Sequence, residues 1–183
     1  AKFSQAEREA EAKKLFAQAG YGANKPLKIE ILYNTSEGHK LISVAIADMW
    51  KRVLGVETTL VNKEWKVYLD DRQSGNTEVY RAGWFGDYDD ANTFAEILYS
   101  KHGMNDMGYQ NPEYDRLWQA AQNEVDIQKR ANLLQQAEKI MVEDQAILPI
   151  YFYMTAHLQK PWVQGWKPQL LDYTYLKNLE IKK

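Results

Sequence analysis

The residues best suited to chemistry lie in one aromatic stretch, residues 80–90, which carries a cation, four aromatic rings and three carboxylates. Its apolar run stops where the carboxylates begin, which is typical of a buried strand that opens into a polar loop. Arg81 and Asp87 flank Trp84 and Phe85, a combination that suits a zwitterionic ligand with an amide backbone better than it suits a reaction. The plain alternative is a core strand followed by turn and helix-capping carboxylates.

The inventory of reactive side chains excludes several other kinds of site. The chain has no cysteine, so disulfides, thiolate catalysis and cysteine-ligated metals are ruled out. Its histidines, His39, His102 and His157, lack metal-ligand spacing. No nucleophile elbow, phosphate-binding loop or dinucleotide-binding motif occurs. A hydrolase that uses Asp87 and Asp90 is the remaining catalytic alternative, but both lie on one turn and no second element sets one across from the other.

Length and charge limit the class of protein further. At 183 residues the chain has the size of one domain or of one large lobe of a longer protein. The 23 basic and 25 acidic residues are interspersed, so no basic face favours nucleic acid as a partner. No apolar run approaches the roughly 18–20 residues of a spanning helix, and no signal peptide is visible. Because the sequence opens without an initiator methionine, we expect a processed or excised chain.

Hydrophobic periodicity predicts a regular order of helices and strands. Helices are predicted at 4–19, 39–54, 64–74, 92–99, 111–123 and 126–144, and strands at 27–33, 56–61, 77–84 and 147–154. Asp89 or Asp90 is expected to cap the fourth helix, and the last two helices to pack as an antiparallel pair. Successive strand–helix–strand repeats favour a layered, mixed α/β sheet with flanking helices. Residues 80–90 then lie at a strand end, where ligands bind in open α/β sheets.

Several segments, in the same order along the chain, resemble the C-terminal portion of the periplasmic oligopeptide-binding proteins, to which the murein-tripeptide receptors are closely related. The segments are Leu32-Tyr33-Asn34-Thr35-Ser36 with His39, Asn62-Lys63-Glu64-Trp65, Arg72, Arg81-Ala82-Gly83-Trp84 with Asp87-Tyr88, and Lys160-Pro161-Trp162-Val163. Matching segments run from near residue 5 to the end, so the resemblance covers nearly the whole chain.

The resemblance implies one lobe of a type II periplasmic binding protein-like fold. Residues 1–154 would form a peptide-binding lobe, and residues 155–183 a tail that packs on an N-terminal lobe outside this chain. The implied function is that of a periplasmic receptor, without catalysis or cofactor, that delivers oligopeptides to an ABC permease. Murein tripeptide, haem and nickel chelates are alternative solutes for the same scaffold. The tail rings Trp162, Trp166 and Tyr173 are expected to be exposed, self-packed or buried against a second copy.

The resemblance also assigns roles to single residues. Asp87 matches the carboxylate that pairs with the peptide α-ammonium, and Arg81 and His39 match basic residues that receive the α-carboxylate of peptides of different length. The remaining matches are Trp65, Arg72 and Trp84 in side-chain pockets, Asn34 in a loop that faces the cleft, and Phe85 at a position that is smaller in the best-known members. Gln73 replaces a pocket histidine, so side-chain preference and peptide length stay open.

Physical chemistry supports these roles and also supplies alternatives. An α-ammonium buried without a partner costs several kcal/mol, so one fixed carboxylate can select free amino termini. The planar guanidinium of Arg81 matches a carboxylate. Against this, Asp87 could be a helix cap or an ion-pair partner of Arg81, Trp65 and Trp84 could be core residues, and His39 could be a solvated residue at a helix start. An isolated fragment of a receptor could also act only as a structural or docking domain.

Overall fold

A parallel sheet organises the first part of the computed structural model, which describes residues 3–169 and 171–182. Its elements are α1 (Gln5–Gln18), β1 (Lys28–Asn34), α2 (Glu37–Leu54), β2 (Glu57–Lys63), α3 (Trp65–Gln73) and β3 (Val79–Tyr80). The strand order is β2–β1–β3, and both neighbours run parallel to β1. The predicted layered α/β architecture is therefore confirmed.

The chain divides into two compact units, Ala1–Gly83 and Trp84–Lys183, which we call the first and second units. In the first unit the buried side chains come mainly from β1 and from helices packed on it; they are Ile31, Leu32, Tyr33, Ser43, Val56 and Tyr68. The predicted boundary at residue 154 refers to packing on another lobe and stays a prediction.

Local signals set most helix ends as predicted. Ser4 caps α1 in a capping box with Glu7, whose carboxylate accepts the Ser4 backbone N–H at 2.7 Å. Gly55 ends α2 in the left-handed conformation at φ 72°, which an L side chain rarely adopts. Helix α2 begins at Glu37, two residues before the predicted start at His39.

The second unit is built on a helix pair. Its elements are α4 (Asn92–Ala95), a 3₁₀ turn (Glu96–Leu98), α5 (Pro112–Asn123), α6 (Ile127–Glu143), β4 (Val163–Gln164), a second 3₁₀ turn (Leu176–Asn178) and β5 (Glu180–Ile181). Strands β4 and β5 pair antiparallel. The core cluster consists of Leu98, Tyr114, Leu117 and Ala137. Asn111 and Asp126 cap α5 and α6 through their side chains, as the sequence predicts.

The predicted third strand at 77–84 is wrong in length, because only Val79–Tyr80 pairs with β1. Before it, the Glu78 carboxylate accepts the Glu30 backbone N–H at 2.8 Å, so a side chain takes the place of a ladder carbonyl. After it, Arg81 N donates one further bond to Leu32 O at 2.8 Å, and regular pairing then ends. The apolar run therefore predicts a longer strand than the one that the hydrogen bonds form.

Two further predicted elements are also wrong. Residues 147–154 form no strand, because they pair with no strand among the described residues, and Phe152 and Met154 are 98% and 92% exposed. Apolar character alone cannot make a strand without a ladder partner. The predicted helix at 92–99 is instead one turn, α4, followed by a 3₁₀ turn. In the tail, Trp162 and Tyr173 are about half exposed, and the Trp166 ring lies 4.8 Å from the His157 ring.

Candidate ligand-binding site

In the first unit, predicted site residues gather at the carboxyl end of β1. Asn34 is the last residue of β1, and its carbonyl oxygen lies 3.3 Å from His39 Nδ1 on α2. Partial burial lowers the pKa of His39, the positive charge of Arg81 lowers it further, and the Asn34 carbonyl has a smaller opposing effect. The structure therefore brings Asn34, His39 and Arg81 together, as a strand-end site requires.

The backbone of Arg81 is fixed on both sides by buried groups. Its N–H donates to Leu32 O at 2.8 Å, and its carbonyl oxygen accepts the Tyr68 hydroxyl at 2.7 Å. Tyr68 is 1% exposed and lies on α3, so its hydroxyl bond ties that helix to the end of β3. Sequence reasoning missed this role for Tyr68, because its position on the apolar face of α3 signals only core packing.

Two predicted pocket residues surround the same tyrosine. The Trp65 ring stacks on the Tyr68 ring with centroids 5.6 Å apart, and Trp65 is 54% exposed. The Arg72 guanidinium carbon lies 5.7 Å from the centroid of the Tyr68 ring and 5.8 Å from that of Tyr80. Aromatic faces attract a guanidinium at such distances, so Arg72 is oriented by these rings. Trp65 and Arg72 thus form one aromatic and cationic surface around Tyr68.

In the second unit, Asp87 lies in an irregular segment, residues 84–91, which we call the Asp87 loop. Asp87 is exposed, and its backbone N–H donates to Thr93 Oγ1 at 3.0 Å. Thr93 is fully buried, so the loop is held against the interior at this point. A Cβ at Gly86 would lie 3.1 Å from Thr93 Cγ2, which explains the small residue there. The backbone is anchored while the carboxylate faces outward.

The two rings that precede Asp87 differ in their surroundings. Phe85 is 69% exposed and stacks on Tyr153, with centroids 5.0 Å apart and planes inclined by 25°. Trp84 is half-buried, and its buried indole nitrogen makes no hydrogen bond within the described part of the chain. A buried N–H that lacks an acceptor is uncommon, so Trp84 is a candidate donor to a ligand or to water. The sequence did not reveal the contact of Tyr153 with Phe85, because the two residues are far apart along the chain.

The capping role predicted for Asp89 or Asp90 is met in part, by Asp90. The cap position of α4 is Ala91, which makes no side-chain capping bond. Asp90 Oδ1 does accept the Asn92 N–H at 2.7 Å, but the carboxylate also pairs with both terminal nitrogens of Arg130, at 2.6 and 2.9 Å. These hydrogen bonds lower the pKa of the Asp90 carboxyl. Asp90 therefore both accepts a backbone N–H at the start of α4 and binds a charged partner on α6.

Two further properties constrain the site. Within residues 3–169 and 171–182, no group of three or more histidine, aspartate or glutamate side chains could hold a metal ion. Among the same residues, no helix combines the length and the apolar character needed to cross a membrane. The described residues of the two units include an exposed carboxylate, an imidazole beside a guanidinium, and exposed aromatic rings, which can each contact a ligand.

Comparison with known proteins identifies the family. Residues 1–106, more than half of the chain, match the family described as bacterial extracellular solute-binding proteins, family 5 (middle). The chain belongs to this family of solute-binding proteins. Among family 5 relatives, the periplasmic murein peptide-binding protein of Escherichia coli is 44% identical over 183 residues, covering 98% of this chain and 34% of that protein. The periplasmic oligopeptide-binding protein of the same organism is 43% identical, covering 99% and 34%.

A solved family 5 structure shows the same fold. The oligopeptide-binding protein of Haemophilus influenzae, in complex with the peptide RPPGFSPFR, superposes with a TM-score of 0.89 at 41% identity, covering all of this chain and 36% of that one. The chain therefore spans about a third of the length of the relatives that it matches.

Proposed function

We propose that this chain is the peptide-binding part of an extracytoplasmic receptor that delivers oligopeptides to an ABC permease. The observation that carries the proposal is the Asp87 loop, in which an exposed carboxylate is held by its backbone to buried Thr93 beside the exposed ring of Phe85. This carboxylate would pair with the α-ammonium of a peptide. The family consists of solute-binding proteins, and relatives with peptide-binding names support a peptide as the solute.

The basic residues of the first unit would receive the other end of a peptide. Arg81 has a fixed backbone and a planar guanidinium, and His39 lies near it with a lowered pKa. The lowered pKa favours the neutral imidazole, so Arg81 would supply the positive charge for a carboxylate. Trp65, Arg72, Trp84 and Phe85 would line side-chain pockets. No catalytic step is part of this proposal.

Murein peptide is a second candidate solute, because the murein peptide-binding relative is 44% identical over 183 residues. A murein peptide and an oligopeptide present similar backbone groups. The two candidates differ in the composition of the ligand and share the proposed role of Asp87.

The first test measures binding by calorimetry in the full-length protein that carries this chain. Tripeptides to pentapeptides are compared with their N-acetylated forms, and a murein tripeptide is included. Acetylation removes the ammonium charge, so it should weaken binding by about 30-fold or more, equivalent to the ~2 kcal/mol or more lost when one partner of a buried charge pair is removed.

Variants assign the effect to one carboxylate. Asp87→Asn should weaken binding of free peptides to the level of acetylated ones, and Asp89→Asn, which neutralises an exposed neighbour in the same loop, should leave binding unchanged. Equal affinity for free and acetylated peptides would contradict the role of Asp87. Absence of binding to every peptide would contradict the proposed function itself.

A further inference from the structure

The Asp87 loop is fastened to helix α6 by one bidentate ion pair. Arg130 Nη1 lies 2.6 Å from Asp90 Oδ2, and Nη2 lies 2.9 Å from Oδ1. The side chains of the pair are 28% and 33% exposed, against 62% and 52% for the exposed pair Arg116–Glu113. Because a planar guanidinium that makes two bonds fixes orientation as well as distance, this contact can define the path of the loop.

The end of the loop is also tied to helix α5. Asn92 is 6% exposed, and its Oδ1 accepts Trp118 Nε1–H at 2.9 Å and Gln122 Nε2–H at 2.6 Å. Its Nδ2 donates to the Tyr88 hydroxyl oxygen at 2.7 Å, and its backbone N–H donates to Asp90. The segment around Asp87 has no regular secondary structure, yet side chains of α5 and α6 hold it in place.

A short series of contacts leads from Arg130 to Asp87. Arg130 holds the Asp90 carboxylate, the Asp90 carbonyl accepts the Thr93 N–H at 3.3 Å, and Thr93 Oγ1 accepts the Asp87 N–H at 3.0 Å. A change at α6 can therefore alter the direction of the Asp87 carboxylate without altering Asp87 itself.

We propose that Arg130 is a positioning residue for amine recognition: through Asp90, it holds the Asp87 loop so that the Asp87 carboxylate meets the α-ammonium of a ligand. This inference rests on the proposed function. Arg130 itself does not contact the ligand. A loop without this pair would have to be ordered when the ligand binds, and the entropy cost would weaken binding of those ligands that use Asp87.

The test compares Arg130→Gln with Arg116→Gln in the full-length protein. Each change removes a bidentate arginine–carboxylate pair, but Arg116 pairs with Glu113 within α5, and among the described residues it makes no ion pair with the loop. The measured quantity is the ratio of the affinities for a free tripeptide and for its N-acetylated form. Arg130→Gln should reduce this ratio about tenfold, a size typical of coupling within one hydrogen-bonded network. Arg116→Gln should leave the ratio unchanged.

A double-mutant cycle separates positioning from general stability. When Asp87 is already Asn, Arg130→Gln should have no further effect on the ratio, because the carboxylate that it positions is gone. Arg130→Lys, which keeps the charge and loses the planar fork, should give an intermediate ratio. A residue with only a structural role would lower the melting temperature and weaken both peptides equally, which would overturn the inference.

Hydrogen exchange provides a readout that does not need a ligand. Backbone amides of residues 84–91 should exchange faster in Arg130→Gln than in Arg116→Gln, and equal exchange would overturn the inference.

The binding data distinguish the proposed function from the inference about Arg130. If the unmodified protein binds free and acetylated peptides equally, the role of Asp87 fails and this inference fails with it. If it discriminates and Arg130→Gln discriminates equally well, only the inference about Arg130 fails.

Discussion

At the scale of single residues, the site separates backbone anchoring from side-chain function. Asp87 is held through its N–H by Thr93, and Arg81 is held through its N–H and carbonyl by Leu32 and Tyr68. In both cases buried groups fix the main chain. Such anchoring reduces the entropy that a ligand must remove on binding, and it is the arrangement expected of a preorganised binding site.

The titration of His39 tests its environment. Its pKa is lowered mainly by burial and secondly by Arg81, so Arg81→Gln should raise the pKa of His39, as measured by NMR titration of the imidazole protons. Arg52→Gln is the matched control, because Arg52 lies on the same helix and pairs with Asp48 at 2.8 Å. An unchanged pKa in Arg81→Gln would mean that burial alone accounts for the shift.

The same shift has a consequence for stability. The pKa of His39 is lower in the folded than in the unfolded protein, so the unfolded state binds a proton first as the pH falls. The contribution of His39 to the free energy of unfolding is therefore complete above its pKa in the unfolded state, about 6.5. This contribution is lost as the pH falls from there through the pKa of the folded state. The neutral imidazole is the form that the fold favours.

At the scale of elements, the capping residue of helix α5 has more to hold in place than that of α1. The Asn111 side-chain oxygen accepts the N–H groups of Glu113 and Tyr114 at 2.9 and 3.2 Å, and its amide nitrogen donates to Asp144 at 2.7 Å. Helix α5 buries Tyr114, Leu117 and Ala121, whereas α1 buries no residue. The cap of α5 therefore supports the core of the second unit.

We expect Asn111→Ala to lower the free energy of unfolding by about 1–2 kcal/mol, the usual cost of losing a side-chain cap. Ser4→Ala, which removes the cap of α1, should have a smaller effect, because that helix can fray without exposing core residues. Urea-induced unfolding of both variants checks the comparison. Equal effects would show that α1 contributes to global stability as much as α5.

Element boundaries that depend on local chemistry could be predicted from the sequence. Capping by Ser4, Asn111 and Asp126, and the stop at Gly55, involve atoms only a few residues apart. Elements that depend on distant partners could not be predicted in this way. The strand predicted at 147–154 lacks a partner in the described chain, and β3 is shortened because a Glu78 side chain takes a ladder position.

In the candidate site, too, features set by nearby residues could be predicted and features set by distant residues could not. The eight predicted residues came from one stretch of sequence and from the family resemblance, and their roles stay predictions. The residues that hold them in place were missed: Tyr68, Thr93 and Arg130 contact the site from other elements. A single sequence does not reveal which arginine pairs with which aspartate, because the two are 40 residues apart.

At the scale of the whole molecule, residues 147–154 form an exposed apolar segment. Ile150, Phe152 and Met154 are more than half exposed, although the segment is strongly apolar. The chain spans about a third of the length of its relatives, and we propose that a strand from the rest of the full-length protein covers this segment.

Hydrogen exchange tests this expectation. Backbone amides of residues 147–154 should exchange rapidly in this chain alone and be protected in the full-length protein, because a ladder partner would bind them. Residues 112–123 of α5 serve as the control, since their helical bonds are present within the chain. Rapid exchange of 147–154 in both forms would show that no strand pairs with this segment.

The ion pair between Asp90 and Arg130 also sets an order in time. As the chain emerges with its N-terminus first, the parallel sheet has all its strands once residue 81 has appeared. The Asp87 loop, in contrast, gains its ion pair to α6 only when Arg130 follows, 40 residues after Asp90. Domains generally form as they are completed, so the Asp87 loop would be the late-maturing part of this chain and the sheet the early one. If Asp87 binds the amino end of a peptide as we propose, a newly made molecule would have Arg81 and His39 in place before that part of the site is complete.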